Sequence, residues 1–211
     1  MKRKTAHNFF SEAEKEKIRQ AVTAAEACTS GEIATMVVDA SDSYREAETL
    51  GSVLVAGLVA VIVAVAIHHV TIWTYIPLVC LLFFPVRWLF RRYPHLKLPF
   101  VGRRRIAEAV RERAIRAFYE KGLHKTRDET GILIFVSLLE HKVWILGDRG
   151  INAKIAPESW RHFAGELSQG LRETRACEAL LSVIAGCGEE LARHFPRKAG
   201  DVNELTDEIL G

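Results

Sequence analysis

Paired cysteines, an export signal and a catalytic signature are all missing from this sequence, and each absence removes a class of function. The four cysteines, Cys28, Cys80, Cys177 and Cys187, form no CxxC pair. Neither a zinc ribbon nor a disulfide framework is indicated, and a reducing compartment fits. The segment MKRKTAHNFFSEAEKEK starts basic but has no apolar core, so nothing in it would export the N-terminus. His7, His95, His124, His141, His162 and His194 make no HExxH motif. No glycine loop is spaced to cradle a phosphate, and no activated-nucleophile motif stands out. The net charge of +3 is modest.

What the chain does have is a membrane-length apolar run. LGSVLVAGLVAVIVAVAI extends from Leu50 to Ile67 without a charged residue. As a helix it is about 27 Å long, close to the roughly 30 Å hydrocarbon core of a bilayer. A second run, from Val70 to Val86 and on through WLF after Arg87, follows His68 and His69. The pair predicts a transmembrane helical hairpin. Trp73, Tyr75 and Trp88 fall near the ends, where amphipathic rings favour the headgroup level, and Pro77 and Pro85 are tolerable inside a membrane helix.

Charge sets the expected orientation. The loop between the runs has no Lys or Arg, whereas Arg45 precedes the hairpin and Arg87, Arg91, Arg92, Lys97, Arg103, Arg104 and Arg105 follow it. The positive-inside rule then puts both termini in the cytoplasm and the His68 loop outside, as in an integral protein of a bacterial inner membrane. Clustered basic residues beside a span, here Arg91, Arg92, Arg103, Arg104 and Arg105, point to anionic lipid headgroups and away from nucleic acid.

With the hairpin removed, the rest reads as one α/β domain. Ser11 and Glu14 form a capping box opening a helix whose Ile18, Val22 and Ala25 share a face, and the helix stops by Gly31. IATMVV is a strand. Ile106, Val110, Ala114, Ala117 and Phe118 mark the buried stripe of a charged helix ending at Gly122. ILIFVSL has no polar alternation before Ser137, as expected of a central strand covered on both faces. LEHK separates it from VWIL closely enough for an antiparallel hairpin. Pro157 suits the first turn of a helix that Gly170 is expected to end. Leu180, Val183, Ile184, Cys187 and Leu191 line a last helix halting at Pro196, and the tail from Arg197 has little apolar content to pack.

SGEI before the first strand, TGILIFVS in the second, VWILGDRGI in the third and the helix-rich C-terminal half together resemble the TPM domain of plastid, bacterial and animal membrane-associated proteins. The resemblance covers Phe10 to about Pro196. It implies a three-layer α/β/α sandwich with a small mixed sheet, interrupted by the hairpin. The expected divisions are 1–46 and 102–196 for the domain, 47–101 for the transmembrane hairpin and basic connector, and 197–211 for a flexible tail.

On that geometry the first two strands are parallel and the third returns to the end where they begin. Glu32, Asp128, Glu129 and Asp148 then share one rim, on the side of the sheet away from the hairpin. Converging carboxylates repel, so a bound calcium or magnesium ion is one reading and four solvated loop acids the other. A rival cluster, Asp39 and Asp42 with Ser41 and Ser43, follows the carboxyl end of the first strand and is expected to cap the helix entering the hairpin.

Two functions follow. The resemblance implies a non-catalytic, membrane-anchored module that binds an unidentified membrane or cytosolic protein in the maintenance or assembly of membrane complexes. The alternative is a divalent-cation-dependent phosphatase with Asp148 as the central metal ligand and Arg149 the only obvious phosphate-clamping cation of the rim.

Overall fold

The computed structural model describes residues 5–68, 71–126, 129–197 and 209–210. They divide into two units: residues 1–41 with 107–211, and residues 42–106. The inserted unit is thus slightly longer at each end than the expected 47–101.

The first unit is an α/β fold around a mixed three-stranded sheet in the order β1-β2-β3. β1 (Glu32–Val38) pairs in parallel with β2 (Gly131–Ser137), from Glu32 opposite Gly131 to Val38 opposite Ser137. β3 (Lys142–Gly147) runs antiparallel to β2, bringing Gly147 opposite Ile132. The uninterrupted apolar run of β2 is explained by its central place, since every residue in it is buried.

Alternation along the strands sends side chains to two cores. On one face Ile33, Val37, Ile132, Ile134, Val136, Val143 and Ile145 pack with α1 (Glu12–Glu26), α6 (Pro157–Arg172) and α7 (Ala176–His194). On the other, Ala34, Met36, Leu133 and Phe135 meet Val110, Ala114, Ala117 and Phe118 of α4 (Arg103–Glu120). These are the three layers. Among the described residues α4, with Leu123 and Leu210, covers the second face, and Trp144 and Leu146 of β3 stay half-buried there.

Local signals set the helix limits. The Ser11–Glu14 capping box is formed, each side chain accepting from the other's backbone N–H, an arrangement that contributes on the order of 1 kcal/mol. Gly122, at φ +76°, makes the left-handed turn just past α4. Gly170 does not end α6, which continues to Arg172. The Cβ of Ala179 on α7 packs against it, and that close approach of the two helices is the reason for a glycine there. Of the expected flexible tail, the structure describes Arg197, Ile209 and Leu210. Leu210 lies on the free edge of β1, donating its N–H to Thr35 O at 2.8 Å and accepting from Val37 N at 2.9 Å.

The second unit contains α2 (Arg45–Ala66), α3 (Ile72–Arg92) and a 3-10 segment at Pro94–Phe100. α2 starts five residues before the apolar run, and α3 continues through Pro77 and Pro85. His69 and Val70 of the connecting loop lie outside the described residues. The face of α2 carrying Ala56, Ala60 and Ala64 is buried, and Gly51 leaves room for the rings of Phe90 and Phe100. The opposite surface stays apolar and open: Leu58 is 63% exposed, Leu81 70%, Phe84 72% and Trp73 87%. Both helices are long and apolar enough to cross a membrane.

Candidate functional site

The start of β2 organises the acidic rim. Glu32 pairs with Gly131 and donates its N–H to Thr130 O at 3.1 Å, while Asp148 donates its N–H to Gly131 O at 2.9 Å. Glu32, Gly131 and Asp148 therefore form one row across the sheet end. Thr130 fixes the approach by donating its hydroxyl to Ser30 O and its N–H to Thr126 Oγ1. Glu129 is exposed and holds a left-handed backbone position at φ +55°. Asp128, the fourth expected member, lies outside the described residues.

The side chains differ in surroundings. Glu32 is buried. Asp148 is the N-cap of the short helix α5 (Arg149–Asn152), its Oδ1 accepting from Arg149 N at 2.7 Å, while its Oδ2 is buried with no hydrogen-bond partner among the described residues. Beside it is a cavity of about 580 Å³ lined by Phe118, Tyr119, Leu146, Arg149 and Asn152. Among the described residues, no three His, Cys, Asp or Glu side chains are gathered closely enough to hold a metal ion.

The rival acids do not form a cluster of their own. Asp39 Oδ1 accepts from Ala6 N at 2.6 Å. Asp42 Oδ1 accepts from Ser43 N, and its Oδ2 pairs with Arg105 at 2.7 Å. Neither caps α2, whose N-cap is Tyr44, in a left-handed conformation with no side-chain cap. The expected cap fails because the Asp42 carboxylate is taken up by its own turn and by Arg105.

A second charged site went unnoticed in the sequence. Inside the 42–106 unit, Glu48 is almost fully buried and receives three cations. Lys97 Nζ is 2.8 Å from its Oε2, and Arg91 Nε and Arg87 Nε are 2.8 and 3.2 Å from its Oε1. Lys97 is also buried and donates to Ser43 O at 3.3 Å. The only sequence signal was an acid two residues ahead of an apolar run whose far end is basic.

No family model matches the chain, and no curated protein does either. Among solved structures it is similar to the NMR structure of the BA42 protein from the psychrophilic bacterium Bizionia argentinensis. The likeness has 20% identity and a TM-score of 0.60, over 96% of this chain and 94% of that one. At that identity it bears on the fold alone.

Proposed function

We propose that the chain is an integral membrane protein, its 42–106 hairpin spanning the bilayer with both termini cytoplasmic, and its α/β unit a non-catalytic, TPM-like module that binds a partner in the upkeep or assembly of membrane protein complexes. The observation that carries the membrane part is the open apolar surface of both helices. Leu58, Ile62, Trp73, Leu81 and Phe84 are all exposed, more large apolar side chains on two adjoining helices than soluble proteins present to water. These are not core helices. Nor is α2 a cleavable leader, because β1 precedes it and cleavage would remove a strand from the sheet.

The basic residues at 87–105 and their absence from 66–76 support the orientation. Binding in place of catalysis is favoured by the lack of a nucleophile or phosphate loop in the sequence. In the test, membranes are washed with alkaline carbonate and a Cys replacing His68 is labelled from outside intact cells. Retention of the protein and labelling of His68→Cys are expected; release by carbonate overturns the reading.

One observation favours a second reading for the rim. The buried, unpartnered Oδ2 of Asp148 is a costly group unless a cation or donor meets it. Calcium or magnesium at Asp148, its remaining ligands water or substrate oxygens, would supply that partner and, in the phosphatase alternative, polarise a phosphate ester.

A further inference from the structure

Glu48 is one carboxylate facing three cations. Its charge is matched by buried Lys97 alone, so the pair of arginines leaves an uncompensated positive charge at the charged end of the hairpin. Arg87 and Arg91 are four residues apart on α3 and therefore on the same face. Each gives its Nε to the same oxygen, Oε1 of Glu48. Among the described residues, the terminal nitrogens of both guanidinium groups have no protein hydrogen bond, and the two side chains are 39% and 62% exposed. Trp88, exposed between them in sequence, marks the level at which aromatic side chains meet headgroups.

We propose that Arg87 and Arg91 form a binding site for the phosphate of an anionic phospholipid, built on the buried carboxylate of Glu48. The site rests on the membrane reading and goes beyond general basic attraction. Glu48 fixes both guanidinium planes, so ordering two long side chains is already accounted for before the lipid arrives. Planar forks offering paired N–H groups match the oxygens of a phosphate. The 42–106 segment has eight Lys or Arg against three Asp or Glu, so no acid remains nearby in number to satisfy them. Arg105 differs, being already paired with Asp42.

The test uses the full chain purified in a neutral detergent and titrated with phosphatidylglycerol, phosphatidylcholine or inorganic phosphate, with melting temperature and native mass spectrometry as readouts. Phosphatidylglycerol is expected to raise the melting temperature with one lipid retained, and the other two to leave it unchanged. Arg87→Gln with Arg91→Gln should weaken the effect at least tenfold, and Arg92→Gln with Arg103→Gln less than threefold. Arg91→Lys keeps the charge but loses the fork, so it should weaken binding roughly tenfold even if the double variant does not fold. Equal stabilisation by phosphatidylcholine or by inorganic phosphate overturns the lipid assignment, and unchanged binding by Arg91→Lys overturns the site. Loss of the protein from carbonate-washed membranes is a separate result, which removes the membrane reading itself.

Discussion

Lys97 and Glu48 meet at 2.8 Å with both side chains buried, forty-nine residues apart in the 42–106 unit. Charge buried this way is stable only while both partners are present. The two partners are not equivalent, because Glu48 also holds Arg87 and Arg91 whereas Lys97 has no second carboxylate among the described residues.

Glu48→Ala should therefore destabilise the 42–106 unit by on the order of 3 kcal/mol, since it leaves a buried ammonium unpaired. Lys97→Met should cost about 1 kcal/mol, because two arginines still satisfy the carboxylate and the new side chain is apolar. Thermal unfolding in detergent, followed by limited proteolysis within 42–106, checks the ranking; equal losses would contradict it.

Cys187 is fully buried, and burial pushes its thiol above the ordinary value of 9.0. It should resist maleimide until the protein unfolds, while exposed Cys28 reacts at once; exposed Cys80, on α3, should become shielded when the protein is in vesicles. The proton is retained in the folded state and lost in the unfolded one, so stability falls as pH rises past about 9, by roughly 1.4 kcal/mol per unit. Comparison with Cys187→Ala, which lacks this slope, isolates the contribution.

A Cβ added at Gly131 would stand 2.7 Å from the carbonyl oxygen of Leu123. That neighbour is backbone and cannot rotate away. Gly131→Ala should cost about 2 kcal/mol, within the usual range for overpacking, and disturb the row that carries Glu32 and Asp148. Denaturant unfolding would show it as a lower midpoint with unchanged slope.

The rim is tested by charge alone with Asp148→Asn. Asparagine caps helices about as well as aspartate, so α5 should survive. If the rim binds a divalent cation, millimolar calcium or magnesium raises the melting temperature of the wild type and much less that of the variant. The absence of any shift in the wild type would overturn the cation reading of the rim.

Neither core of the α/β unit includes a residue from 42–106. Replacing 47–101 by a short flexible linker should leave a soluble domain that unfolds cooperatively, since the cost of a loop grows only slowly with its length. Circular dichroism and a single sharp thermal transition are the measurements; an aggregated product would contradict the prediction.

Periodicity made much of this fold legible. The capping box at Ser11, the central place of ILIFVS, the antiparallel return at VWIL and the buried stripe of α7 each rest on contacts within a few residues or on a pattern that one face imposes. What was missed depends on distant partners. Nothing local to Glu48 announces Lys97, and Gly170 resembles a helix stop until Ala179 is seen against it. Leu210 stands in a polar stretch, and its place on β1 comes from backbone hydrogen bonds that no side-chain pattern encodes. The rim acids were placed by topology, and Glu32, Glu129 and Asp148 do come to the same end of the sheet, though the sequence could not foretell that Glu32 is buried there and Glu129 exposed.

The parallel pairing of β1 with β2 encloses the whole hairpin between two neighbouring strands. During synthesis β1 leaves the ribosome and then waits for all of α2, α3 and α4 before its partner exists. At roughly 5–20 residues per second, that wait is on the order of 5–20 seconds. On the proposed membrane reading, the hairpin is thus made, and would meet the translocation machinery, while the sheet is still incomplete. The nascent edge of β1 must be kept from other chains through that interval, so biogenesis is expected to run in the order anchor first, domain second.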